Sequence, residues 1–191
     1  CNLKCKYCQN RDTWNIKSGK EYTVKELIDQ IVKFKEYMQV SGGGVTVSGG
    51  EPLLQPDFLI ALFTELNKIG ISTCLDTSGM VALTDKIKKV INLTDIFLLD
   101  IKSINDETCK WLTGMSNKLE LELVPGITDK EEDLIKLKEF LDRLNIEKID
   151  ILPYHTLGKS KWEKLGIQYE LDGTRPANSE DVAKAKKILG I

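Results

Sequence analysis

An α/β fold built on parallel strands, a partial (β/α) barrel, is the architecture this 191-residue sequence predicts. Three observations predict it. Short apolar segments rich in β-branched residues alternate with amphipathic segments of helical period, the pattern of βαβ units. Several of the strand segments are nearly continuous apolar runs, as expected where both faces of a sheet are covered. Three successive strands also exit into polar groups, and strand ends are where α/β barrels place their sites. A doubly wound open sheet is the alternative.

The elements follow in order. Thr23 to Tyr37 reads as a helix, with Thr23 and Glu26 as a capping box and Leu27, Ile28, Ile31 and Val32 at helical spacing. Gly44 to Ser48 is a short strand ending in Ser48-Gly49-Gly50-Glu51-Pro52. Asp57 to Lys68 is a helix closed by Gly70, and Ile71 to Leu75 is a strand with Asp76-Thr77-Ser78-Gly79 as its exit loop. Asp85 to Ile91 is helical, Ile96 to Ile101 a strand, and Asn105 to Leu112 a short helix. Leu119 to Val124 is read as a strand before a Pro125-Gly126 turn. Asp129 to Leu144 is a helix whose Leu134, Leu137, Leu141 and Leu144 form one stripe. Lys148 to Leu152 is a last strand, Pro153 to Gly166 a long loop, and Ser179 to Leu189 a closing helix.

Length fits one domain spanning residues 1–191. Hydrophobic residues at 41% and charged residues at 29% exclude a disordered chain. A net charge of -2 without basic clusters gives no support to a nucleic-acid partner. No apolar run reaches the length of a membrane span, and no signal peptide is read, so a cytoplasmic location is expected. The sequence opens on a cysteine without the strand that would hold such a loop, and a missing upstream strand is expected.

Five cysteines, three of them within the first eight residues, do not resemble a secreted disulfide framework. Cys1, Cys5 and Cys8 have the spacing C-x3-C-x2-C. Three thiolates can hold three corners of an iron–sulfur cube and leave one iron open, which separates a reactive centre from a closed structural one. A zinc knuckle is the competing reading, but zinc usually takes a fourth Cys or His at regular spacing. His155 is the only histidine, and Cys74 and Cys109 are isolated and read as core thiols.

The cysteine loop followed by Ser48-Gly49-Gly50-Glu51-Pro52 resembles the radical SAM (S-adenosylmethionine) superfamily. Asp12-Thr13-Trp14, Asp76-Thr77-Ser78-Gly79, Asp100-Ile101-Lys102, Leu152-Pro153-Tyr154-His155 and Leu157-Gly158-Lys159-Ser160-Lys161-Trp162 extend the likeness to the glycyl-radical activases. The resemblance implies a [4Fe-4S] cluster held by Cys1, Cys5 and Cys8, with S-adenosylmethionine at the open iron. It also implies roles for particular residues. The Gly50 backbone would meet the methionyl amino group, Asp100, Ile101, Lys102 and His155 would contact SAM, and Tyr7 and Gln9 would flank the adenine. Asp76 with Asp100 would help form a monovalent-cation site. Gln9 stands where the family commonly has histidine. The implied reaction is reductive cleavage of SAM and formation of a glycyl radical on pyruvate formate-lyase, with flavodoxin or ferredoxin as electron donor. An activase of another glycyl-radical enzyme, such as anaerobic ribonucleotide reductase, and a truncated non-catalytic SAM-binding paralogue are the alternatives. The last is motivated by Asn117 to Val124, which looks shorter than the family pattern and carries Leu119-Glu120-Leu121-Glu122 where an arginine is usual. Parallel neighbours need a crossover of about a dozen residues, and Lys118 to Leu123 cannot supply one.

Overall fold

The computed structural model describes residues 1–15, 18–115, 123–144, 146 and 148–191. They group into two compact units. One comprises Cys1–Asn2 and Thr13–Leu99, the other Leu3–Asp12 and Asp100–Ile191.

The first unit is built from strand–helix repeats. Thr23 caps helix α1 (Val24–Ile31) by accepting from the Glu26 backbone N–H, and the Glu26 carboxylate accepts in return from the Thr23 backbone. The single helix expected to Tyr37 is divided. A 3-10 turn, Val32–Phe34, separates α1 from α2 (Lys35–Ser41), because Phe34 leaves helical geometry at φ -107 and ψ 3. Strand β1 (Gly44–Val47), helix α3 (Pro56–Lys68), strand β2 (Ser72–Thr77), helix α4 (Asp85–Asn92) and strand β3 (Ile96–Leu99) follow. The strands form a parallel sheet in the order β1-β2-β3. Its register pairs Gly44 with Ser72 through Val47 with Leu75, then Cys74 with Ile96 through Thr77 with Leu99.

Leu59, Leu62, Phe63 and Leu66 of α3, Leu75 of β2, and Ile87 and Val90 of α4 make the core of this unit, with α1 adding Leu27, Ile28 and Ile31. Each such side chain, fully buried, contributes about 1.5–3 kcal/mol. Alternation along β2 buries Thr73, Leu75 and Thr77 and leaves Ser72, Cys74 and Asp76 half-buried on the other face. Two expectations change here. Strand β2 continues to Thr77, so Asp76 is a strand residue whose carboxylate is placed by the sheet rather than by a loop. Strand β3 is not covered on both faces: Ile96, Phe97, Leu98 and Leu99 are 44–53% exposed. Among the described residues its ladder partner is β2, so β3 is an edge and the sheet is an unclosed part of a barrel.

The second unit is mostly helical. Helix α5 (Asp106–Thr113) is capped by the Asn105 side chain, α6 is Glu131–Leu141, α7 is Lys159–Lys164, and α8 (Ser179–Leu189) starts with an Asn178–Asp181 capping box. Leu134 packs with Ala185, and Leu137 and Leu141 with Leu189, joining α6 to α8. Helix α6 is shorter than expected at both ends, and the loop expected from Pro153 to Gly166 contains α7. Lys148 to Leu152 does not form a strand. One isolated parallel bridge, Leu123 to Pro153, stands there, because a strand exists only with a ladder partner. Most of the strand expected over Leu119 to Val124 lies outside the described residues, as does most of the segment read as shortened. No helix among the described residues is long and apolar enough to cross a membrane.

Candidate active site

In the first unit the expected site residues are Cys1, Gly50 and Asp76. The turn after β1 needs glycine twice. Gly49 sits at φ 126, and Gly50 lies so close to Cys1 that an added Cβ would stand 2.9 Å from the Cys1 Cβ. Cys1 is held on its other side, where its backbone nitrogen donates to the Thr13 carbonyl at 2.7 Å. The Asn2 amide donates to the Met80 carbonyl, also at 2.7 Å. Asp76 accepts from the Ser48 hydroxyl at 2.6 Å, so the exits of β1 and β2 are tied side by side.

Sequence reasoning missed the residue that organises this turn. The Glu51 carboxylate is only 5% exposed and accepts four hydrogen bonds. Its Oε1 takes the Thr77 hydroxyl at 2.6 Å and the Leu53 N–H at 3.0 Å, and its Oε2 takes the Ser78 hydroxyl at 2.7 Å and the Ser78 N–H at 3.1 Å. A buried carboxylate is tolerated when its acceptor sites are filled in this way. The available signal was an acid directly after two glycines, with two hydroxyl residues at the exit of the next strand.

In the second unit, Cys5 is buried and Cys8 half-buried in a loop shaped by backbone bonds. Lys4 and Lys6 donate their N–H groups to the Thr113 and Leu112 carbonyls at 2.7 and 2.9 Å, and the Cys8 N–H turns back to the Cys5 carbonyl at 3.0 Å. Three of the expected residues meet here. The Lys102 ammonium pairs with Asp100 and stands 5.5 Å from the centre of the buried Tyr7 ring. Two more meet nearby: the Gln9 amide donates to the His155 carbonyl at 3.3 Å and lies 3.4 Å from His155 Nδ1. The Leu157 N–H also reaches Nδ1, at 3.3 Å, so this nitrogen is the acceptor and the ring proton belongs on Nε2. Ile101 stands apart from them. Its side chain packs with Leu137, Leu141 and Leu189, which leaves only its backbone for a ligand.

None of the five cysteines is in a disulfide. Among the described residues no three His, Cys, Asp or Glu side chains gather around a point for a single ion. A cubane asks for something else, three thiolates each on a different iron. Three thiols within eight residues, two of them in a loop already shaped by backbone bonds, fit that demand.

Comparison with known proteins gives the class. The family model for the radical SAM superfamily matches residues 1–125, and the chain belongs to that superfamily. It is 42% identical over 208 residues to the pyruvate formate-lyase 1-activating enzyme of Escherichia coli (strain K12), covering 99% of this chain and 85% of the relative. It is 46% identical over 213 residues to the pyruvate formate-lyase-activating enzyme of Staphylococcus epidermidis, with 99% and 85% coverage. The crystal structure of a domain of pyruvate-formate lyase-activating enzyme from Bacteroides vulgatus ATCC 8482 superposes with a TM-score of 0.62. It is 25% identical, covering 78% of this chain and 93% of that one. Within the superfamily, then, the chain is a member of the pyruvate formate-lyase-activating enzyme family. Membership implies a [4Fe-4S] cluster and S-adenosylmethionine. Both alignments run over more positions than this chain has residues, so the relatives carry residues inside the matched span that this chain lacks.

Proposed function

We propose that this chain is an activase that cleaves S-adenosylmethionine reductively at a [4Fe-4S] cluster and generates a glycyl radical on pyruvate formate-lyase. The observation that carries the reading is the Cys1, Cys5, Cys8 spacing in a chain 42% identical to a relative of that name. When bound, the cluster and SAM supply one-electron cleavage of the sulfonium carbon–sulfur bond and removal of a hydrogen atom from a glycine.

The chain's own residues bind and orient. Cys1, Cys5 and Cys8 are the three ligands, and the Gly50 backbone, held close against Cys1, receives the methionyl amino group. Lys102 offers its ammonium to the methionyl carboxylate, and its pairing with Asp100 over the Tyr7 ring sets its direction. Gln9 and His155 form a polar patch beside Cys8 for the adenosyl part, with the His155 Nε2–H as donor. No side chain has to act as acid or base. Residues 1–191 are read as one radical SAM domain, supported by a family match over residues 1–125 that takes in parts of both compact units. Flavodoxin or ferredoxin is the proposed electron donor and the cytoplasm the proposed location.

The test is anaerobic reconstitution with iron and sulfide, followed by dithionite, SAM and the partner protein. The expected results are about four iron atoms per chain, release of methionine and 5'-deoxyadenosine, and a glycyl-radical signal on pyruvate formate-lyase. Each of Cys1→Ser, Cys5→Ser and Cys8→Ser abolishes all three. A serine variant that keeps cluster and cleavage overturns the ligand assignment. A signal on anaerobic ribonucleotide reductase instead moves the partner, and SAM binding without cleavage makes the chain a binding paralogue.

A further inference from the structure

The segment Gly158 to Trp162 has no role in the reading above, yet its last residue reaches the cysteine loop. Trp162 is the largest fully buried side chain described, at 1% exposure, although it lies on the short helix α7 beside five charged or polar residues. Its indole N–H donates to the backbone carbonyl of Cys8 at 2.9 Å, across 154 residues of sequence. The ring is fixed from two further directions. The Arg11 guanidinium stands 5.0 Å from its centre, and the Tyr169 ring meets it edge-on at 5.4 Å. Tyr169 is anchored in turn by a 3.0 Å hydrogen bond between its hydroxyl and that of buried Tyr154. The same helix touches the loop once more, where the Lys161 ammonium bonds the Asn10 side chain at 3.0 Å.

We propose that Trp162 is a positioning residue for the cluster: its N–H fixes the Cys8 carbonyl and so aims the third thiolate before iron arrives. The proposal rests on the cluster reading and goes beyond it, because Trp162 touches neither cluster nor substrate. A thiolate held in advance loses less conformational freedom on ligation, and an iron released by thermal opening finds its ligand still in place. The backbone at Cys8 needs such a tether. Its N–H is used in the turn to Cys5, and its carbonyl accepts the indole N–H. A hydrogen bond of ordinary net strength, about 0.5–1.5 kcal/mol, converts to a change of roughly two- to tenfold in retention.

The experiment uses the reconstituted full chain and follows cluster loss to an iron chelator under anaerobic conditions, by absorbance and by the resonance spectrum of the reduced cluster. Trp162→Phe keeps an aromatic ring and removes the donor. Incorporation of benzothienylalanine at 162 keeps the bicyclic shape with sulfur in place of N–H, and guards against a Phe variant that folds poorly. Tyr37→Phe, at an exposed ring on α2, is the control. Both 162 variants are expected to load iron as the parent does and to lose it about fivefold faster. The midpoint of apo-protein unfolding stays near that of the parent in the benzothienylalanine form, and Tyr37→Phe leaves the loss rate unchanged. Loss at the parental rate from the isostere overturns the proposal while leaving the cluster reading intact. A parent chain that takes up no iron overturns both.

Discussion

The turn after β1 and the loop carrying Cys5 and Cys8 are both shaped by protein contacts, but their anchors lie at different distances along the chain. Glu51 is bonded to Leu53, Thr77 and Ser78, at most 27 residues away and within one βαβ repeat. The cysteine loop is bonded to Leu112 and Thr113 through its backbone, to Trp162 through Cys8, and to Glu170 through Lys6, the last two 154 and 164 residues away. The near set forms with its own repeat. The far set is expected to form later, because contacts of high sequence separation form only after long loops have closed.

Breaking the near set should give the largest effect. Glu51→Ala leaves a buried hydroxyl, a half-buried hydroxyl and two N–H groups without their acceptor, and a loss of about 2–4 kcal/mol is expected from such orphaned donors. Urea unfolding of the apo chain measures it, and a midpoint shift within error would show that the turn is held by something other than the carboxylate. Gly50→Ala tests the contact between that turn and Cys1. Its Cβ would stand 2.9 Å from the Cys1 Cβ and 3.1 Å from the Cys1 nitrogen, so the Cys1 backbone has to move. About 1–3 kcal/mol of overpacking cost is expected, with lower iron content after reconstitution as the second readout.

The smallest effect concerns the turn before α8. The Arg175 guanidinium, bonded to both Asp181 carboxylate oxygens at 2.6 and 2.8 Å, and the Asn178 backbone N–H hold the Asp181 pKa down from 3.8 to about 2. A carboxylate depressed in the folded state stabilises above its unfolded pKa and loses that contribution as pH falls from about 4 towards 2. Thermal midpoints measured through that window should fall less steeply for Asp181→Asn than for the parent. Equal slopes would remove Asp181 from the acid response.

The same division by distance explains what could be read in the sequence. Helices α1, α3, α4 and α8 declare themselves through caps and apolar spacing, which are local properties, and all four form. Helix α7 was invisible because Lys159 to Lys164 holds a single large apolar residue, Trp162, and one residue has no period. Ile149 and Ile151 made Lys148 to Leu152 look like a strand, but β-branched content states a preference that only a neighbour can satisfy. Of the residues proposed for the site, the cysteines and Gly50 are read from motif spacing. The work of Glu51 was not, since it depends on hydroxyls 26 and 27 residues downstream. The pairing of Gln9 with His155 was likewise out of reach, because it spans 146 residues.

Gly44, at the opposite end of β1 from the glycine turn, acts as a steric stop for the sheet. A Cβ there would fall 2.3 Å from the Ser72 carbonyl oxygen, so only a residue without a side chain can occupy the first rung opposite Ser72. Sliding β1 by a single residue would bring Val45 to that rung and collide. The alignment that sets Ser48 beside Asp76 is thereby fixed from the far end of the strand, four residues from the hydroxyl that benefits from it.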